Sequence, residues 1–231
     1  MTRIGGILLA AGESRRMGAV NKLALPVDGQ PLLRHTAQTL LASRLQELVV
    51  VLGHEADQAR KLIEDLELKI VCNERYQEGQ MTSVHCGLEA LSGVYEGVMI
   101  GLADQPLLTS GDIDTLIDAF GNRERGSILV PTHRGLRGNP IILADAHRGE
   151  ILRSGYNLGC KRLIESNPEW VTTVEMDTEH VVFDLDTPED YAELQRRIGP
   201  SRERPAAASG GSCTESTAWL SRARSDADRF Q

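Results

Sequence analysis

Short apolar runs alternate with segments of helical periodicity along this 231-residue chain, and the alternation limits what it can fold into. The apolar runs cover residues 4–9, 47–52, 68–72, 97–102, 127–131, 140–143, 171–174 and 181–185. Apolar residues recur at helical spacing in residues 31–41, 55–66, 82–91, 110–120 and 188–198. The short runs predict buried strands, and their alternation with helices predicts an α/β protein. We therefore expect a three-layer α/β/α, Rossmann-like fold around a mostly parallel sheet.

The balance of charge indicates a small anionic ligand rather than a nucleic acid. The chain carries 33 acidic and 25 basic side chains, which gives a formal net charge of −8. Nucleic-acid binding needs an extended basic face, so we expect no nucleic-acid partner. Cations are nevertheless concentrated in residues 12–22, which suggests a local anion site.

The cysteines predict a reducing compartment. Cys72, Cys86, Cys160 and Cys213 form no Cys-x-x-Cys pair and lack metal-ligand spacing. Scattered thiols of this kind are typical of intracellular proteins, so we expect a cytoplasmic protein. No apolar run approaches the ~18–20 residues of a membrane span, and no secretory signal is visible. We expect no association with a membrane.

Residues 8–22 read Leu-Leu-Ala-Ala-Gly-Glu-Ser-Arg-Arg-Met-Gly-Ala-Val-Asn-Lys and continue from the first predicted strand. A strand that opens into a glycine-rich, cationic loop is a common way to bind a polyphosphate. Glycine lets the backbone approach, backbone amides donate hydrogen bonds, and the cations neutralise charge. The loop matches neither the P-loop nor the dinucleotide fingerprint. An ordinary strand-to-helix turn with surface arginines is the alternative.

Two aspartates stand at the ends of predicted strands. Asp104 follows the fourth run in Ala-Asp-Gln-Pro, and Asp186 follows the last run in Asp-Leu-Asp-Thr-Pro. A carboxylate such as Asp104 could bind Mg²⁺, which keeps several waters and bridges one or two carboxylates to substrate phosphates. A turn role for Asp104 and an N-cap role for Asp186 are the alternatives. Asp184 alternates with Asp186 along a predicted strand, so we expect only Asp186 to face the site.

Two further polar segments could contact substrates. Thr82 and Ser83 stand near a predicted helix start, where hydroxyls and amides can read the edge of a base or simply cap the helix. Residues 133–140 form a glycine-rich loop with polar side chains, for which a surface hairpin is the alternative.

The last 33 residues, 199–231, differ in composition from the rest of the chain. They contain Pro-Ala-Ala-Ala-Ser-Gly-Gly-Ser and show no sustained periodicity. This composition predicts a disordered tail after a single domain at residues 1–198.

The first loop resembles that of the MobA-like nucleotidyltransferases. Its residues fit the pattern Leu-Ala-Ala-Gly-x-Ser-x-Arg-Met-Gly at Ala11, Gly12, Ser14, Arg16, Met17 and Gly18. The Ala-Ala-Gly start, the Asp-Gln-Pro segment and the Asp-Leu-Asp-Thr-Pro-Glu-Asp segment look like the molybdenum cofactor cytidylyltransferase branch of that family. Together these motifs extend the resemblance from residue 8 to residue 191.

The resemblance implies a fold of the nucleotide-diphospho-sugar transferase type and the transfer of CMP from CTP to molybdopterin cofactor, with release of pyrophosphate. It implies Mg²⁺ or Mn²⁺ on Asp104 and Asp186, and a recipient molybdoenzyme of the hydroxylase type as a partner. Arg16, Lys22 and Asp104 would be the catalytic residues. The implied nucleotide-binding residues are Leu9, Ala10, Ala11, Gly12, Ser14, Arg16, Lys22, Thr82, Ser83 and Asp104. The implied acceptor-binding residues are Arg137, Gly138, Asn139 and Pro140.

Two departures from the family pattern bear on the substrate. Lys22 lies four residues after Gly18, one more than in the commonest form. Residues 155–161 lack the aspartate of the Gly-Asp-x-Gly-Ala-Arg segment that many relatives carry. The alternatives are therefore a transferase for GTP or another NTP, a transferase for a sugar or polyol phosphate, a non-catalytic molybdoenzyme maturation factor, and a regulatory nucleotide-binding module.

Overall fold

The computed structural model describes residues 1–18, 20–154 and 164–199. Within them the strands are β1 (Ile4–Ala10), β2 (Pro26–Val27), β3 (Gln30–Pro31), β4 (Glu47–Leu52), β5 (Lys69–Cys72), β6 (Gly97–Leu102), β7 (Ile128–His133), β8 (Leu136–Arg137), β9 (Ile141–Ala144) and β10 (Val171–Glu175). The helices are α1 (Leu32–Leu41), α2 (Ala56–Lys61), α3 (Gln80–Ala90), α4 (Ser110–Gly121), α5 (Arg148–Ser154) and α6 (Pro188–Ile198).

Some predictions concern residues outside the described part of the chain. The altered segment at residues 155–161 lies there, as does the proposed tail after residue 199, and with them Cys160 and Cys213. These expectations, including the domain boundary at residue 198, remain predictions. Among the helices that the structure describes, none is both long enough and apolar enough to cross a membrane.

The main sheet is mixed but mostly parallel. Its strand order is β10-β7-β9-β6-β1-β4-β5, and β8 pairs with the end of β7. β1 is parallel to β4 and β6, whereas β9 runs antiparallel between β6 and β7. This arrangement confirms the predicted α/β fold. Because Leu9 of β1 lies beside Leu102 of β6, the loops after these strands leave from one edge of the sheet. Ligands bind at that edge in open α/β sheets.

Helices cover both faces of β1. On one face Ile7 packs with Val84 of α3, and on the other Leu8 packs with Leu33 of α1. Neighbouring strand residues point to opposite faces, so β1 is buried from both sides. Gly87 allows α3 to approach closely, because a Cβ at that position would lie 2.5 Å from Ile7 Cγ2. The glycine-rich loop therefore starts from a firmly packed strand.

Most predicted elements are present, with ends shifted by a few residues. β4, β6 and α6 have the predicted bounds, whereas α2 is shorter than expected and the short strands β2, β3 and β8 were not predicted. The predicted strand at residues 181–185 is wrong, because a 3₁₀ turn at Glu179–Val182 leads into an irregular segment. Its backbone groups bond to loops instead: the Val181 carbonyl accepts from Asn139 N, and Leu185 N donates to the Asp104 carbonyl.

A buried tyrosine ties the amino-terminal ends of the central strands together. The Tyr95 hydroxyl donates a hydrogen bond to the Glu47 carboxylate at the start of β4 and accepts one from Gly93 N. Its ring lies against Gly5 of β1, where an added Cβ would be 3.0 Å from the ring. Burial, reinforced by the bond to Glu47, raises the pKa of Tyr95 to about 12.

Replacing Tyr95 with Phe should change how stability depends on alkaline pH. The folded protein holds the phenol proton to about pH 12, whereas an unfolded tyrosine loses it near pH ~10. The stabilisation that Tyr95 provides is therefore complete below pH ~10 and is lost as the pH rises toward 12. Urea unfolding across this range should show a shallower decline for Tyr95→Phe than for the wild type. Parallel declines would contradict the assignment.

Candidate active site

The loop after β1 is folded back on itself by residues with left-handed backbone conformations. Ser14 has φ 52° and Gly18 has φ 67°, with a single 3₁₀ turn, Arg15–Met17, between them. Met17 is buried and anchors this turn in the protein. Among the described residues the space beside Gly12 is open, because a Cβ there would meet none of their atoms within 4 Å. The loop thus leaves room for a ligand next to its backbone.

The early loop residues differ in exposure. Leu9, Ala10 and Ala11 are buried, and the Ala11 carbonyl accepts a hydrogen bond from His54 N. Gly12 is exposed, and Ser14 is half-buried. Of the predicted nucleotide-binding residues in this loop, Gly12, Ser14 and Arg16 therefore have the freest access to a ligand.

Lys22 lies at the centre of the candidate site. A second 3₁₀ turn, Lys22–Ala24, is capped by Asn21, whose side chain accepts a hydrogen bond from Leu23 N. The Lys22 side chain is buried, and its Nζ lies 2.8 Å from Asp104 Oδ2 and 3.1 Å from Asp186 Oδ1. The extra residue before Lys22 therefore does not move this cation away from the two aspartates.

Asp104 and Asp186 reach the same cation from different loops. Asp104 follows β6, and its Oδ1 is buried and has no hydrogen-bond partner in the part of the chain that the structure describes. Asp186 precedes α6, but the N-cap role that was its alternative belongs to Thr187, which forms a capping box with Asp190. The Asp186 carboxylate is left to pair with Lys22 and, at 2.9 Å, with the exposed guanidinium of Arg16. All four charged residues expected at the site thus meet.

Asp184 contradicts the expectation that it would face away from its neighbour. Because its segment is not a strand, the alternation of faces does not apply. The carboxyl group accepts a hydrogen bond from Gln105 Nε2 and lies close enough to Asp104 and Asp186 to feel their charge. Burial raises the pKa of Asp184 to about 6, and the negative charge of Asp104 adds to the shift. The carboxyl group of Asp184 is therefore a third acidic group close to Asp104 and Asp186.

The donor set suits a cation with oxygen ligands. Two carboxylates already converge on one ammonium group, and Asp104 Oδ1 has an unused acceptor position. The described residues contain no group of three or more His, Cys, Asp or Glu that could enclose a metal. Two carboxylates without a full protein cage suit Mg²⁺ or a similar ion that completes its shell with water and substrate phosphate.

Thr82 and Ser83 lie inside the fold. The Asn73 side-chain amide donates to both hydroxyls, at 2.7 and 2.9 Å, and the Thr82 hydroxyl lies within hydrogen-bonding distance of the Gly79 carbonyl. Neither residue caps α3, because the helix begins at Gln80 and Gly79 is its N-cap. In this geometry the two hydroxyls support the loop between β5 and α3 and are shielded from a ligand.

The predicted acceptor loop, residues 133–140, is a hairpin that packs against Val181 in the segment leading to Asp186. Arg137 belongs to β8 and is exposed, while Asn139 N donates to the Val181 carbonyl at 2.8 Å. Gly138 permits this approach, because a Cβ there would lie 2.2 Å from the Val181 oxygen. Pro140 follows a cis peptide bond. The surface-hairpin alternative therefore describes the tip of this loop, whereas its base adjoins the site.

Sequence reasoning missed three residues that organise the site. Gln105 and Asn73 are buried polar side chains: the amide of Gln105 bonds to residues that are distant in sequence, whereas that of Asn73 bonds to the start of the next helix. The third residue is Asp184, which lies next to the metal-ligand candidates. The position of Gln105 directly after Asp104 was the one visible signal. Nothing in the local pattern around Asn73 indicates that it bonds to α3.

Comparison with known proteins identifies the class. Residues 6–171 match the MobA-like NTP transferase domain, so the chain belongs to that family and is a nucleotidyltransferase. Rv0371c from Mycobacterium tuberculosis H37Rv has a similar crystal structure, with a TM-score of 0.75 and 26% identity over 84% of this chain and 98% of that one. Another crystal structure of Rv0371c contains manganese.

Two relatives of similar length bear different names. The purine catabolism protein PucB of Bacillus subtilis is 31% identical over 203 residues, covering 84% of this chain and 96% of PucB. The nicotine blue oxidoreductase of Paenarthrobacter nicotinovorans is 27% identical over 201 residues, covering 83% of this chain and 96% of that protein. Membership of the family therefore fixes the class of reaction but leaves the substrate to be argued from the site.

Replacing Lys22 with Met should destabilise the metal-free protein by about 1–3 kcal/mol, because it leaves two neighbouring carboxylates without their shared cation. The cost stays below that of a fully buried pair because both aspartates are partly exposed to solvent. Thermal unfolding in EDTA measures the loss. Added Mg²⁺ should restore more stability to the variant than to the wild type.

Lys61→Met is the matched control, since Lys61 is exposed on α2. It should change the melting temperature little, with or without Mg²⁺. Equal behaviour of the two variants would refute the central role of Lys22.

Proposed function

We propose that this protein transfers CMP from CTP to molybdopterin cofactor and releases pyrophosphate, giving the cytosine dinucleotide form of the cofactor. The observation that carries the proposal is the cluster of Arg16, Lys22, Asp104 and Asp186 at the edge where β1 and β6 end. Membership of an NTP transferase family supports nucleotidyl transfer. The Ala-Ala-Gly loop and the Asp-Gln-Pro segment favour cytosine.

Asp104 and Asp186 would hold the divalent ion, Mg²⁺ or Mn²⁺. Such an ion, when bound, neutralises charge on the triphosphate and on the departing pyrophosphate. The orphaned Oδ1 of Asp104 supports this role, and the manganese complex of Rv0371c makes a divalent ion a reasonable choice. In the structure Lys22 pairs with the same two carboxylates. If a divalent ion neutralised these carboxylates, the Lys22 ammonium group would be free to bind the phosphates.

The chain's own residues would act by alignment and charge neutralisation. Arg16 is exposed at the mouth of the site and Lys22 is buried in it, so together they would hold the outer and inner phosphates. An oxygen of the acceptor phosphate attacks the α-phosphorus of CTP, and the bond from that phosphorus to the bridging oxygen breaks as pyrophosphate leaves. No general base is needed, because the attacking phosphate is already ionised.

The acceptor would bind beside the hairpin that contains Arg137. This guanidinium is exposed and has no ion pair among the described residues, so it is available to an anionic group. The backbone at Gly138 and Asn139 packs against Val181, five residues before Asp186, which supports an acceptor position near the metal ligands. A molybdoenzyme of the hydroxylase type would receive the product.

A pyrophosphate-release assay with each of the four NTPs, with and without molybdopterin cofactor, tests the substrates. We expect release only with CTP and only when the cofactor is present, because the acceptor phosphate is the nucleophile. Activity with GTP, or with a sugar or polyol phosphate in place of the cofactor, would replace this proposal with another transferase. No release with any pair would favour a maturation factor.

Replacing Asp104 with Asn should lower turnover by about 10²–10⁴-fold while the protein stays folded, because a neutral amide binds a divalent ion poorly and loses electrostatic stabilisation of the transferring phosphate. Steady-state kinetics with Mg²⁺ measures the change. Asp65→Asn is the control, since Asp65 pairs with Arg34 on the surface. Near-normal turnover of Asp104→Asn would remove Asp104 from the metal site.

A further inference from the structure

The buried amide of Gln105 connects the loop that contains Asp104 to the segment that contains Asp184 and Asp186. It follows Asp104 directly, and 1% of the residue is exposed. Its Nε2 donates to the Val181 carbonyl and to Asp184 Oδ1, at 3.1 Å in both cases. A second link runs in the opposite direction, from Leu185 N to the Asp104 carbonyl at 2.8 Å. Together these bonds fix the loop after β6 against the segment that ends in Asp186.

The Val181 carbonyl extends this connection to the acceptor hairpin. It accepts from Gln105 Nε2 and also from Asn139 N, which lies 2.8 Å away. The contact is close, since any side chain at Gly138 would collide with the same carbonyl. One oxygen atom therefore joins the Asp104 loop, the Asp186 segment and the acceptor loop.

The orientation of the Gln105 amide follows from its surroundings. Both neighbours of its Nε2 are oxygen acceptors, so a reversed amide would face oxygen with oxygen. Its own Oε1 is buried, and none of the described residues forms a hydrogen bond with it. A buried polar atom without a partner is unfavourable, and an apolar side chain of this size would avoid that penalty, but it would leave the Asp184 carboxyl without the donor that Gln105 supplies. The amide therefore calls for an explanation beyond packing.

We propose that Gln105 is a positioning residue that couples the acceptor loop to the paired carboxylates of Asp104 and Asp186. This inference rests on the metal site of the proposed function. Among the described residues the Gln105 side chain bonds to Val181 and Asp184, not to the carboxylates of Asp104 and Asp186. It acts through its hydrogen bonds to Val181 and Asp184. The conformation of the acceptor loop therefore depends on that of the loop that contains Asp104, and the reverse.

Gln105→Met keeps the length of the side chain but removes both donors. Residues that orient metal ligands from behind typically change metal affinity by ~10–100-fold when mutated, and we expect weakening in this range. Titration of the full-length protein with Mn²⁺, followed by electron paramagnetic resonance, measures it. Gln195→Met is the matched control, because Gln195 donates to the Pro26 carbonyl on the surface. The control should bind Mn²⁺ as the wild type does.

Amide hydrogen exchange measures the coupling itself. In the wild type, Mg²⁺ should slow exchange at the Asn139 amide, which lies in the acceptor loop, and in Gln105→Met this response should disappear. Exchange at Val50, in the buried strand β4, reports the overall stability of the protein. Apart from any overall gain in stability, Mg²⁺ should leave it unchanged in both proteins.

Two results would overturn the inference. One is a folded Gln105→Met that binds Mn²⁺ within twofold of Gln195→Met, and the other is a wild-type Asn139 amide that Mg²⁺ leaves unchanged. If Gln105→Met does not fold, the wild-type exchange experiment decides alone. Neither measurement uses CTP or molybdopterin cofactor. A failure of cytidylyl transfer would therefore appear separately, as absence of pyrophosphate release in the NTP assay.

Discussion

The ammonium group of Lys22 lies between the carboxylates of Asp104 and Asp186, and the arrangement of the site depends on this interaction. Two carboxylates that lie close together near the protein interior repel each other and have lost part of their hydration. A cation between them offsets both unfavourable effects. The shared cation draws together three segments that are far apart in sequence: the loop after β1, the loop after β6 and the approach to α6. Parallel pairing of β1 with β6 brings the first two to one edge, and Lys22 holds the third against them.

The parts that local sequence determines could be predicted. β4 and β6 are uninterrupted apolar runs bounded by loop residues, so their limits were visible, and α6 begins at a Thr-Pro pair and ends before a glycine. The role suggested for Asp104 depended on its place after such a run. Where burial on both faces defines a strand, the hydrophobic pattern suffices, and a charged residue just beyond it is placed at the ligand-binding edge.

The parts that depend on contacts between a loop and another segment could not be predicted. Residues 181–185 have the composition of a strand, but their backbone groups bond to the Asp104 and acceptor loops, so Asp184 turns toward the site. The hydroxyls of Thr82 and Ser83 suit a helix cap, yet Asn73 binds both inside the fold. In each case a buried polar group forms its hydrogen bond with a residue in a loop, and the hydrophobic periodicity of the sequence does not predict where that loop lies.

The charges at the site also constrain how a nucleotide can enter. Arg16 and Lys22 bring two positive charges, Asp104 and Asp186 bring two negative ones, and the four groups already pair with each other. A triphosphate alone would have to take the cations from the carboxylates and leave these uncompensated, which is unfavourable in a partly buried site. If a divalent ion came with the triphosphate, Asp104 and Asp186 would hold it, and Arg16 and Lys22 would then be available to the phosphates. Under the proposed function, the paired cluster would therefore favour the metal complex of the nucleotide over the free nucleotide.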